Sequence, residues 1–142
     1  MRIDHVAHLC RDPRQTHGFY TQIMGFNVVQ AYAGAELLLV YALPDGGSLA
    51  FSASRQYTPE SADSPDHVTW ERQHVGLTVA SRAEYETWLK RLKEFSVPHR
   101  VVDDERIYLA DPDGLVLELE VESPMPVDPN ASDILRRWVD SQ

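Results

Sequence analysis

One cysteine, Cys10, stands among 142 residues, so the chain can form neither an internal disulfide nor a thiolate zinc cluster. Long apolar runs are missing too: none approaches the ~20 residues of a membrane-spanning helix. Basic residues are scarce, 13 Lys and Arg against 22 Asp and Glu, leaving a net charge of −9. A surface that acidic repels phosphate backbones and anionic lipid, which disfavours nucleic-acid and membrane roles. The first residues do not run from basic to apolar as a secretory leader does, so a cytoplasmic location is expected. What is present suits one soluble domain, with 43% apolar and 25% charged residues. Six histidines are somewhat generous for this length, and their placement matters most.

Ile3 to Cys10 alternates about apolar residues and predicts a strand. Asp12-Pro13 supplies the N-cap and first-turn proline of a helix that carries Phe19, Tyr20 and Ile23 and ends at Gly25. Strands are expected over 27–32, 36–42 and 48–52, the last after the turn Pro44-Asp45-Gly46-Gly47. A polar, Pro/Ser/Asp-rich connector follows, and then the plan returns. His74–Ala80 reads as a strand, Ser81 with Glu84 as a capping box, and Tyr85, Trp88, Leu89, Leu92 and Phe95 as the apolar stripe of a helix. Further strands are expected over 100–103, 106–110 and 115–121, with Asp111-Pro112-Asp113-Gly114 turning into the last. A Pro-rich tail leads to a short helix capped by Ser132 and bearing Ile134, Leu135 and Trp138.

The recurrence has a definite register. Asp4-His5-Val6-Ala7 lies over Gln73-His74-Val75-Gly76 at an offset of 69, and Pro44-Asp45-Gly46 over Pro112-Asp113-Gly114 at 68. This predicts an α+β fold of two βαβββ modules, residues 1–53 and 70–121, joined by a linker over 54–69 and followed by a tail over 122–142. A long period present only twice describes one pseudo-symmetric domain rather than a solenoid.

His5 and His74 occupy the same place in the first strand of each module. Glu118 sits in the last strand of the second, out of phase with Leu115, Leu117 and Leu119. A carboxylate opposite a leucine row in a strand suited to burial needs a partner. The offset puts Ala50 at the equivalent place in module one, so the pair of modules offers two histidines, one carboxylate and one vacancy. Such a set leaves coordination positions open, as non-haem Fe(II) sites do. Any one of these residues alone is equally a strand histidine satisfied by backbone or a surface glutamate; their shared register favours the metal reading. His8 is expected to pack under the first helix, His17 to lie on a helix surface and Cys10 to be a small core residue. Tyr32, Tyr41 and Phe51 are candidates for an aromatic lining.

Asp4-His5-Val6, the helix ending Met24-Gly25-Phe26, and Asp111-Pro112-Asp113-Gly114 followed by Glu118 resemble the vicinal oxygen chelate superfamily over residues 1–121. That group includes glyoxalase I, bleomycin-resistance proteins, fosfomycin-resistance enzymes and type I extradiol dioxygenases. The resemblance implies that the modules curl into a half-open barrel with a divalent metal between them, and that the chain is a homodimer. Val97-Pro98-His99, Ile107-Tyr108, the Asp-Pro-Asp-Gly turn and Glu118 together resemble the extradiol signature. It implies that His99 and Tyr108 line the substrate pocket as catalytic residues, that the metal is foremost Fe(II), with Mn(II), Zn(II) and Ni(II) as alternatives, and that the substrates are a catechol-like aromatic and O2. One departure stands out: Gly47 precedes Ser48-Leu49-Ala50-Phe51 where those enzymes carry an acid/base histidine, and His67 is the only nearby substitute. Glyoxalase-type isomerisation lacks its fourth ligand at Ala50. Fosfomycin-type transfer lacks a Lys- and Ser-rich loop over 100–106, and a metal-free aromatic-binding protein would not need the ligand triad.

Overall fold

In the computed structural model of the chain, the described residues are 3–44, 46–54, 70, 74–124 and 128–141. Module one runs β1 (His5–Leu9), α1 (Pro13–Gly18), a π-helical turn (Phe19–Ile23), β2 (Asn27–Ala33), β3 (Glu36–Ala42) and β4 (Ser48–Ser54). Module two runs β5 (His74–Val79), α2 (Arg82–Glu94), β6 (His99–Val101), β7 (Arg106–Ala110) and β8 (Val116–Val121), and α3 (Ala131–Asp140) follows. The two mixed sheets have the same order, β1-β4-β3-β2 and β5-β8-β7-β6. In each, the first strand is an edge strand and pairs in parallel with the fourth. The expected α+β pair of βαβββ modules is therefore present, and no closed barrel forms. Asp45, His67 and nearly all of the 54–69 linker lie outside the described residues. Among those described, no helix is long and apolar enough to cross a membrane.

Local chemistry explains most element ends. Asp12 accepts from the backbone N–H of Arg14 at 2.9 Å with Pro13 in the first turn. The α-helix is shorter than the apolar spacing suggests, because after Gly18 the backbone widens and Met24 N–H donates to Phe19 O. That wide turn buries Phe19 and Tyr20 side by side, and Gly25, at φ +74°, closes it. In α2 the capping box is formed: Glu84 N–H donates to Ser81 Oγ at 3.3 Å, while Glu84 Oε2 accepts from Ala80 N–H at 2.8 Å. Tyr85 and Leu92 are buried, but Phe95 falls off the end of the stripe and is exposed. The last helix begins one residue before Ser132, after Asn130.

One apolar cluster spans both modules, from Tyr20, Tyr41, Leu49 and Phe51 to Leu92, Ile107, Leu109, Leu117 and Leu119. Tyr41 and Phe51 belong to this core, stacked about Tyr20, and line no open interior; Tyr32 is exposed. Cys10 is buried as expected, whereas His8, on the edge strand β1, is exposed.

Polar links tie the modules together at two places. Arg91 of α2 donates to Ile23 O at 2.5 Å and Gln22 O at 2.6 Å. Opposite, the turn before β8 receives module one: Arg11 N–H and Thr16 Oγ1 donate to Asp113 at 2.9 and 3.2 Å, and Tyr20 O–H donates to Asp111 Oδ2 at 2.9 Å. Asp111 Oδ1 also accepts from Asp113 N–H and Leu115 N–H. Asp111 is only 4% exposed, and burial lifts its pKa from the ordinary 3.8 to about 6 despite these donors. A carboxyl raised in the folded state stabilises the fold most below the unfolded pKa and loses that contribution as pH rises through about 6. The stability difference between wild type and Asp111→Asn should therefore shrink between pH 4 and 7, by at most about 3 kcal/mol. Parallel denaturant titrations at four pH values measure it; a constant difference would contradict the assignment.

Candidate functional site

Alternation along β8 divides its side chains. Leu117 and Leu119 enter the core, while Glu118 points to the other side of the sheet and is still only 8% exposed. The ladder places Gly76, Glu118, Tyr108 and Arg100 in one row across β5, β8, β7 and β6. The next row holds Thr78, Glu120 and Arg106. The matching row of module one is Ala7, Ala50, Val40 and Gln30, so Ala50 is the structural counterpart of Glu118. Module two thus carries the charged half of a pseudo-symmetric surface, and module one carries small and apolar groups.

Glu118 has the partners its burial requires. His74 Nε2 lies 3.0 Å from Oε2, and Arg106 Nε lies 3.5 Å from Oε1. The Tyr108 hydroxyl bonds Glu118 and also meets Arg106, and its ring lies 5.5 Å from that of His74. Burial and then the Glu118 charge push the Tyr108 phenol above its usual range, with Arg106 opposing. Tyr108 therefore keeps its proton at neutral pH and serves as a hydrogen-bond donor.

His5 does not join this group. Its side chain is 57% exposed and its Nδ1 lies 3.1 Å from Asp4 Oδ2. Among the described residues no three His, Cys, Asp or Glu side chains gather closely enough to hold an ion. His5 and His74 nevertheless line one cleft of about 670 Å3 between the modules, whose walls include Met24, Phe26, Leu49 and Trp88. Gly47 lines the same cleft. His99 stands elsewhere: it pairs with Leu109, in the row that continues to Leu117, on the opposite side of the sheet from Tyr108 and Glu118. Its Nδ1 lies 2.7 Å from Val97 O. β6 begins at His99 in register with Leu109, which puts Arg100 rather than His99 in phase with Tyr108.

Two donors of the kind a divalent ion takes meet at one corner. Ligand atoms bound at ~2.1 Å and near right angles sit about 3 Å apart, the separation of His74 Nε2 and Glu118 Oε2. An imidazole with a carboxylate suits Fe(II), Mn(II) or Zn(II). Arg106 is the site-face residue that sequence reasoning passed over. Its signal was available: it lies two residues before Tyr108 in a strand, hence on the same face.

A family model described as Glyoxalase/Bleomycin resistance protein/Dioxygenase superfamily matches residues 2–119. Similar solved structures include a glyoxylase/bleomycin resistance protein/dioxygenase domain from Frankia sp. EAN1pec, with 18% identity and a TM-score of 0.71, covering 87% of this chain and 98% of that one. A glyoxalase/dioxygenase from Nostoc punctiforme shares 19% identity with a TM-score of 0.69, over 87% and 92%. The fosfomycin resistance protein FosX from Listeria monocytogenes shares 15% with a TM-score of 0.66, over 86% and 91%. A mutant of FosX is known complexed with Mn(II) and 1S,2S-dihydroxypropylphosphonic acid. At these identities the likeness speaks for the fold. No curated protein matches in sequence.

Ultraviolet titration tests the electrostatics of the site. The difference between wild type and Tyr108→Phe should show one phenol ionising above pH 10, the ordinary tyrosine value. Ionisation at or below 10 would contradict it.

Proposed function

Because the chain belongs to the glyoxalase/bleomycin resistance protein/dioxygenase superfamily, whose members are often metalloenzymes, we propose that it is a divalent-metal-dependent enzyme. Its substrate is a small molecule with two adjacent oxygen atoms. The observation that carries this reading is the His74–Glu118 pair, a buried carboxylate on the face opposite the core met by an accessible imidazole with their ligand atoms 3.0 Å apart. His74 and Glu118 would hold the ion from module two, and His5 would complete the set from module one's side of the cleft. An ion held there would supply Lewis acidity toward two substrate oxygens and, as Fe(II), a path by which electrons pass from the substrate to O2.

The specific reaction we assign is extradiol-type cleavage of a catechol-like ring with O2. Tyr108 supports it, because a protonated phenol beside Glu118 donates a hydrogen bond where a substrate oxygen gathers negative charge. The cleft that His5 and His74 border has apolar walls that would receive an aromatic ring beside the metal position. His99, on the far side of the sheet, takes no part in this scheme, and Gly47 offers no imidazole. Proton handling therefore falls to Tyr108. A homodimer belongs to the same reading: α3 leaves Ile134, Leu135, Trp138 and Val139 exposed at 55–62%, an apolar stripe suited to a partner copy.

Anaerobic metal titration should give one ion per chain, lost in His74→Ala and in Glu118→Gln and weakened in His5→Ala. Unchanged binding in His74→Ala and Glu118→Gln overturns the metal reading. Fe(II)-loaded protein should yellow a catechol panel, and Tyr108→Phe should slow it ~10²–10⁴-fold with metal content intact. Gly47 lies outside the positive-φ residues, and on this reading Gly47→His, which restores an acid/base imidazole, should speed cleavage. If both wild type and Gly47→His are inert, the dioxygenase assignment fails while the metal reading stands.

A further inference from the structure

Arg106 is a cation whose surroundings would change when an ion binds at Glu118. Its Nε is buried, 3.5 Å from Glu118 Oε1, and has no hydrogen-bond partner among the described residues. Its Nη2 lies 3.8 Å from Glu120 Oε1. Both contacts are long for a guanidinium and carboxylate, which normally meet at about 2.7–2.9 Å. The guanidinium also meets the Tyr108 hydroxyl, so Arg106 is balanced in charge while its Nε alone goes without a hydrogen bond. Its side chain is 39% exposed, so a small molecule on the site face can reach it.

An ion at His74 and Glu118 would take up the negative charge that now balances Arg106. The guanidinium would then stand beside added positive charge with Glu120 and Asp103 to offset it. In a chain of net charge −9 this leaves a local cationic patch next to the substrate position. A planar carboxylate matches the guanidinium fork and restores neutrality.

Resting on the metal reading above, we propose that Arg106 is the specificity determinant of the site. In the metal-free chain it holds Glu118; in the loaded chain it pairs with a carboxylate carried by the substrate. The preferred substrate is therefore an acidic molecule with two adjacent oxygens, not a neutral one.

The test uses Mn(II) alone, then catechol and 3,4-dihydroxybenzoate, which differ by one carboxylate, as calorimetric probes of the Mn(II)-loaded full chain. Wild type should bind the dihydroxybenzoate at least ~10-fold more tightly than catechol, as expected for one added charge pair in a partly buried site. In Arg106→Gln that preference should fall below about threefold, while Mn(II) binds ~10-fold more tightly because the competing cation is gone. Arg106→Lys, which keeps the charge but loses the fork, should retain wild-type Mn(II) affinity and lose most of the preference. Equal binding of the two probes by wild type, or a preference unchanged in Arg106→Gln, overturns the assignment to Arg106 and leaves the metal reading intact. Failure of wild type to bind Mn(II) at all overturns both.

Discussion

Asp111 is a carboxyl removed from water and surrounded by donors, and much of the architecture depends on it. One oxygen receives the backbone N–H groups of Asp113 and Leu115, which shapes the turn into β8. The other receives the Tyr20 hydroxyl from module one. The same group therefore sets where β8 starts, and with it the phase of Glu118, and fastens the helical segment of one module to the turn of the other. Tyr20 in turn packs against Phe51 and Tyr41, so the polar link is continuous with the aromatic core. Burying such a carboxyl is costly unless its oxygens are occupied, and three donors occupy them here.

Given that anchor, each sheet sorts its side chains by alternation. One side becomes the shared core; the other carries Ala50 in module one and Glu118, Tyr108 and Arg106 in module two. The asymmetry between modules matters more than their likeness. Ala50 and Glu118 occupy equivalent places, so one half of the surface offers space and apolar contact while the other offers charge. Two edge strands, β1 and β5, border the cleft between the halves and bring a histidine each to it. The remaining walls of that cleft are mostly apolar, with Met24, Phe26, Leu49 and Trp88 among them.

The site face also shows why buried charge needs several partners. Glu118 is approached by an imidazole, a phenol and a guanidinium, and no single one of them balances it. A set of weak, replaceable partners leaves room for exchange when an ion or a substrate arrives. A single tight bidentate bridge would resist that exchange.

Strand phase is a period-two property, so the opposition of Glu118 to Leu117 and Leu119 and the shared positions of His5 and His74 were legible before any coordinates. So were the capping box at Ser81 and Glu84 and the doubled βαβββ plan, because each rests on residues close in sequence. The phase of His99 was not legible: it depends on where a three-residue edge strand begins after Pro98, and that is set by pairing with Leu109. Nor was the meeting of Arg106 with Glu118, which needs two strands in one register. Whether His5 reaches His74 and Glu118 is a matter of how two modules sit across a cleft. Alternation decides which way a side chain points; only packing between elements distant in the chain decides what it meets.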